Sequence, residues 1–138
     1  MKIIGVLVTA LFLVSFFGIE QGPDACLQEV KEGTFYYYNG SEIVEVKRTA
    51  THQFEKYANT KTESKLTWIG EDSYELRLVS TNTPGGCLSL GDKMTVTLSA
   101  CMPDFYTATI TSEMCGSGEA LIYMDKKKLQ KALKNYTE

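Results

Sequence analysis

The stretch Thr34-Phe35-Tyr36-Tyr37-Tyr38-Asn39-Gly40-Ser41-Glu42-Ile43-Val44-Glu45-Val46 decides the fold class. Its two arms are rich in aromatic and β-branched residues, which suit a pleated, half-buried surface. Between them stands Asn-Gly, whose residues tolerate the positive φ that a type I′ hairpin turn demands. The reading is a hairpin with strands at 34–38 and 42–46. Outward from it the same period-two texture recurs, with Gly, Asn, Asp, Pro and Ser between the runs. Further strands are predicted at 51–57, 65–70, 74–81, 93–100, 105–112 and 120–124. Eight short, closely spaced strands suit an all-β, mainly antiparallel fold, a small lipocalin-like barrel or curled sheet. Only 126–136 has helical spacing, with Leu129, Ala132, Leu133 and Tyr136 on one stripe, lysines elsewhere, and Asp125 placed to cap it. A barrel of this size encloses either a plug of side chains or one small ligand.

The amino terminus sets the compartment. Met1-Lys2 precedes an apolar run from Ile3 to Ile19, and Glu20-Gln21-Gly22-Pro23-Asp24 follows. The 17-residue run is shorter than the roughly 20 residues that span a bilayer core. Residues 1–25 therefore read as an export signal, with Gly18, Gly22 and Ala25 as candidate cleavage points. Residues 26–138 form one β-rich domain. Cleavage after Ala25 would leave Cys26 first, as in a bacterial lipoprotein, but Pro23-Asp24-Ala25 poorly matches the triplet that precedes a lipidated cysteine. Membrane association is expected only through the signal segment or lipidation at Cys26; otherwise the protein is periplasmic or secreted.

An exported chain can use disulfides. Cys26, Cys87, Cys101 and Cys115 allow three pairings. Cys101 and Cys115 flank the 105–112 strand and Cys87 precedes 93–100, which favours Cys87 with one of the two. No C-x-x-C or His-Cys spacing supports zinc, so no metal or other cofactor is expected. Residues 21–123 carry 14 acids against 8 bases, whereas 125–138 carries five lysines against two acids. An acidic body with a short basic tail lacks the broad basic face of a nucleic-acid binder, so nucleic acid is excluded as a partner.

Gly33-Thr34-Phe35, Val46-Lys47-Arg48 followed by Gln53 and Glu55, and Leu66-Thr67-Trp68-Ile69 followed by Tyr74-Glu75-Leu76 resemble a family of small exported Bacteroidota proteins. Its members pair a G-x-F start with I-x-R-x-x-x-x-Q-x-E and V-x-W-x-x-x-x-x-Y-x-L segments; some copies bear the label DNA topoisomerase IV. The likeness covers Cys26 to about Leu76 and implies an exported β-rich protein of unknown role. The topoisomerase label fits neither the compartment nor the acidic surface. Family members hold a cysteine four residues after the tryptophan, implied to pair with the one near the mature amino terminus. This chain has Asp72 there, so Cys26 needs another partner or stays unpaired.

The candidate ligand-binding residues are Tyr36, Tyr38, Arg48, Gln53, Glu55, Trp68 and Tyr74. Pointing inward, Arg48, Gln53 and Glu55 would form a buried polar network or grip an anionic ligand; pointing outward, they would be ordinary cross-strand pairs. Tyr36, Tyr37, Tyr38 and Trp68 could form a stacking platform, but strand alternation lets at most half of 35–38 share one surface, so core packing competes. Thr95, Thr97, Thr107, Thr109 and Thr111 alternate with Val96, Leu98, Ala108 and Ile110. Such threonine rows can bind ice but are also good strand chemistry. His52 stands in no nucleophile motif, and Cys115-Gly116-Ser117-Gly118 is not the G-x-S-x-G elbow. Asn39-Gly40-Ser41 and Asn135-Tyr136-Thr137 fit the glycosylation acceptor pattern. Three functions remain: a carrier of a small hydrophobic or amphipathic ligand, a filled barrel that binds an envelope protein, and an enzyme. The last is the weakest, because acid, base and nucleophile do not converge, and the reading is non-enzymatic.

Overall fold

A computed structural model describes residues 23–137. The export signal lies outside the described residues except for its end, which falls in a short helix, α1 (Pro23–Glu29). Eight antiparallel strands follow: β1 (Gly33–Tyr38), β2 (Ile43–Arg48), β3 (His52–Tyr57), β4 (Thr60–Trp68), β5 (Ser73–Thr81), β6 (Lys93–Cys101), β7 (Phe105–Ser112) and β8 (Gly116–Tyr123), then helix α2 (Lys126–Asn135). Each strand pairs with its neighbours in sequence, and β8 returns to β1 to close a barrel. The eight strands, the closure and the terminal helix agree with the sequence reading. Asp125 caps α2, its carboxylate accepting from the backbone N–H of Lys127 and Lys128.

Alternation sorts the side chains. Phe35, Val44, Val46, Leu66, Tyr74, Leu76, Val96, Leu98, Tyr106, Ala108 and Ile122 point inward and form one buried cluster with Val30, from the turn after α1. Burying these side chains supplies the main driving force, at about 25 cal/mol per Å² of apolar surface. The threonine rows behave as alternation requires. Thr95 pairs with Thr111 and Thr97 with Thr109 on the outer face, while Val96 pairs with Ile110 and Leu98 with Ala108 on the inner.

Several boundaries differ from the sequence reading. The β1–β2 connection is not a two-residue turn: Tyr38 pairs with Ile43. The Asn39 carboxamide accepts from the N–H of Ser41 and Glu42 at 2.9 and 2.8 Å, and only Gly40 takes positive φ, +98°. The side chain of Asn39 thus replaces the backbone geometry of a type I′ turn. The two-residue hairpin is instead Ala58-Asn59, since Tyr57 pairs with Thr60, and Ala58 has φ +45°. β4 therefore starts five residues earlier than predicted. β8 likewise begins at Gly116, where Gly116, Ser117 and Gly118 pair with Ser112, Thr111 and Ile110.

Both disulfides form. Cys87 pairs with Cys115, one of the two partners favoured from sequence, and Cys26 pairs with Cys101. The second bridge ties α1 to the end of β6 and leaves the Cys26 sulfur unavailable to a lipid. Two disulfides place the folded chain in an oxidising environment. Among the described residues, no helix is long and apolar enough to cross a membrane.

Candidate functional site

The two ends of the barrel are filled differently. At the end carrying α1, Arg48 is 3% exposed and spends its donors on the protein itself. Nε donates to the Gln53 carboxamide oxygen at 3.0 Å, Nη1 to the Val30 carbonyl, and Nη2 to the hydroxyls of Tyr74 and Tyr106 at 2.8 and 3.1 Å. The guanidinium also lies over the rings of Phe35 and Tyr74, 4.9 and 4.7 Å from their centroids. A buried guanidinium is tolerated when its charge is spread over hydrogen bonds and ring faces in this way. Phe35 meets Tyr106 edge to face at 5.8 Å. This end is a plug.

The network continues up the barrel. Gln53 donates through Nε2 to Oε1 of Glu55 at 2.8 Å, and the Tyr37 hydroxyl lies 3.4 Å from Oε2. Removal from water holds the Glu55 carboxyl above its ordinary range. Hydrogen bonds from Gln53 and Tyr37 and the charge of Arg48 pull the other way without cancelling it. Burial also raises Tyr37, Tyr74 and Tyr106 above the ordinary phenol range, Glu55 adding to the effect on each and Arg48 opposing it at Tyr74 and Tyr106. These three hydroxyls therefore stay protonated.

Beyond Glu55 the interior is not filled. Tyr37, Glu55, Tyr57, Thr62, Met94, Ile110 and Ala120 lie on the inward register, yet all keep accessible surface. A side chain that points into a barrel and still meets open space meets it in the lumen. The wall is also incomplete: β1 and β8 share a single register pair, Tyr36 with Tyr123. Toward the end away from α1 the two strands are unpaired, and α2 lies across that seam. A cavity of about 990 Å³ occupies this region, running from inward-facing Tyr37, Met94 and Ile110 to outward-facing Leu121 and the Leu129 and Leu133 stripe of α2. Small residues along the start of β8, Gly116, Ser117 and Gly118, line it and leave the seam without bulky side chains.

The seven sequence candidates thus divide. Arg48, Gln53, Glu55 and Tyr74 are brought together, pointing inward as a network rather than outward as cross-strand pairs. Arg48 is saturated by protein partners, so a grip on an anionic ligand is not what its geometry provides. Glu55 is the charged member that keeps accessible surface, and Tyr37, whose hydroxyl lies beside it, joins it to the cavity. Tyr36 and Tyr38 lie on the outer face of β1, and Tyr38 lines the seam cavity from outside, whereas Tyr37 lines it from within. Trp68 is not part of a platform with them. It packs against Tyr74 at 4.9 Å beneath the Lys31 ammonium, 5.3 Å from its ring. His52 is partly exposed on the outer face, Nδ1 2.9 Å from Thr51 Oγ1 and Nε2 3.8 Å from Glu63.

Sequence reasoning missed Met94, Ile110 and Ala120 as lining residues and considered Tyr37 only for a stacking platform with its neighbours. Their alternation with outward residues was the available signal; what it could not give is that this half of the barrel stays open. The chain matches no family model, no curated protein and no solved structure.

Proposed function

We propose that this protein is an exported, non-enzymatic barrel that holds a small hydrophobic or amphipathic molecule. The observation that carries the reading is the seam cavity. Its volume of about 990 Å³ lies at the upper end of the range for small-molecule sites, and its lining is mainly apolar with a few polar groups. The export reading rests on the apolar run Ile3–Ile19 and the two disulfides, and the resemblance to exported Bacteroidota proteins points the same way. An envelope-protein module with a filled core is the alternative, and the open lumen counts against it.

The test is native mass spectrometry of the purified mature chain, paired with titration by the uncharged fluorescent probe N-phenyl-1-naphthylamine. A co-purifying adduct, or a saturable one-to-one fluorescence rise reversed by long-chain amphiphiles, supports the carrier reading. Unliganded protein with no saturable probe site overturns it.

A further inference from the structure

The cavity has a chemical polarity that bears on what it holds. Arg48, the cation of the inward-facing network, is turned away from the lumen by four protein acceptors. The lysines of α2 do not line the cavity. Among the described residues, the charged side chain on the inward register that keeps accessible surface is Glu55, which stands behind Tyr37 rather than in the cavity wall; the charged residue of the wall itself is another acid, Glu119, on the outer face of β8. Glu55 has one strong protein donor, Gln53 at 2.8 Å. Its other oxygen has only the long contact to Tyr37 at 3.4 Å. A carboxylate offers about four acceptor sites, so this one keeps room for a further donor. Tyr37 links the two regions, because its side chain lines the cavity while its hydroxyl reaches Glu55.

We infer that Glu55, steadied by Gln53 and Tyr37, is the polar anchor of the cavity, and that the ligand class is an amphiphile with a cationic amine or donor-rich head rather than a carboxylate or phosphate head. The inference rests on the reading of the cavity as a ligand site. An ammonium head placed at Glu55 forms a charge-assisted hydrogen bond in a partly desolvated lumen, where such bonds are strongest. An anionic head there meets a like charge, or forces Glu55 to stay protonated, and finds no free cation. The tail then lies along Met94, Ile110 and Ala120 toward the seam. The groups facing Glu55 are Tyr37 from β1, Arg48 from β2, Gln53 and Tyr57 on its own strand, Thr62 opposite it on β4, Tyr74 from β5 and Tyr106 from β7. None of them supplies an uncommitted positive charge.

The experiment is calorimetric titration of the mature chain at pH 7 with dodecylamine, dodecanol and dodecanoate, each below its micellar concentration. It is repeated on Glu55→Gln and Tyr37→Phe, with far-ultraviolet circular dichroism to establish that each variant is folded. Dodecylamine binding about tenfold or more tighter than dodecanoate, as a charge-assisted bond implies, with the preference erased in Glu55→Gln, supports the assignment. Should Glu55→Gln fail to fold, a reduced preference in Tyr37→Phe supports it instead. Dodecanoate binding as tightly as dodecylamine, or an amine preference that survives in the folded variants, overturns the assignment while leaving the carrier reading intact. No binding of any of the three amphiphiles overturns both.

Discussion

Nη2 of Arg48 on β2 stands 3.1 Å from the hydroxyl of Tyr106 on β7, joining strands that are not neighbours in the sheet and residues 58 positions apart. The same nitrogen reaches Tyr74 on β5 at 2.8 Å. With Gln53 on β3 as a further acceptor, one buried guanidinium therefore links four strands, and through the Val30 carbonyl the turn after α1.

Removing that hub orphans every partner at once. Arg48→Met leaves the Val30 carbonyl, the Gln53 carboxamide and two tyrosine hydroxyls buried without their donor, so the expected loss is about 3–5 kcal/mol. Arg48→Lys keeps the charge but has no planar fork to reach four acceptors, and is expected to lose most of the same amount. Urea unfolding at pH 7 measures both. Wild-type stability in Arg48→Lys would show that the charge, not the hydrogen-bond geometry, holds this end together.

The Cys26–Cys101 bridge spans 75 residues and fastens α1 over the plug. Cross-linking a loop of this length restricts the unfolded chain by about 3–5 kcal/mol. The double variant Cys26→Ser, Cys101→Ser is expected to lose an amount in that range in guanidinium titrations. Amide hydrogen exchange should also rise first at 27–31, because α1 then has little else holding it to the barrel. Unchanged protection at Val30 would mean that the Arg48 contact holds this segment without the disulfide.

The elements legible in sequence were those whose periodicity was uninterrupted. The 105–112 strand and the Lys126 helix were readable to within a residue, since Tyr106-x-Ala108-x-Ile110 and the Leu129, Leu133 stripe each carry one clear period. The Ala58-Asn59 turn was not legible, because alanine at positive φ is disfavoured and gives no local signal; the tertiary setting holds it, with Asn82 bridging Asn59 and Lys61 at 2.7 Å on each side. Nor was the start of β8, where Gly-Ser-Gly reads as loop. The polar network was half legible. Arg48, Gln53 and Glu55 stood out as a group, but the face they occupy depends on register, and a one-residue slip reverses it. The partners Val30, Tyr74 and Tyr106 lie 18, 26 and 58 positions from Arg48, beyond what local pattern encodes.

Glu55 predicts an unusual dependence on pH. Its carboxyl is held above its unfolded value in the fold, so the folded protein binds that proton more tightly than the unfolded chain. The associated stability is fully present below the unfolded value, about 4.3, and is lost as pH rises through the raised folded value. Tyr37, Tyr74 and Tyr106 stay protonated over this window, so they do not contribute. Glu55→Gln removes the titration while keeping an acceptor for Tyr37. The melting temperature of Glu55→Gln minus that of wild type should therefore rise from pH 4 to pH 8. A difference that falls with pH would place Glu55 in a site that favours its ionised form.

Helix α2 makes a last test of where the ligand lies. Leu129 is its buried anchor, 3% exposed, and lines the cavity beside Leu133. Truncating a buried leucine costs about 2–5 kcal/mol. The barrel closes without α2, through the Tyr36–Tyr123 pair, so in Leu129→Ala the loss falls mainly on docking of the helix. Binding of N-phenyl-1-naphthylamine is expected to weaken several-fold, with near-ultraviolet circular dichroism of the barrel preserved. Lys131→Ala, on the exposed side of the same helix, should leave binding unchanged. If Leu129→Ala frees the helix and binding persists, the ligand is held by the lumen around Tyr37 and Glu55 alone, and α2 covers the seam without forming part of the site.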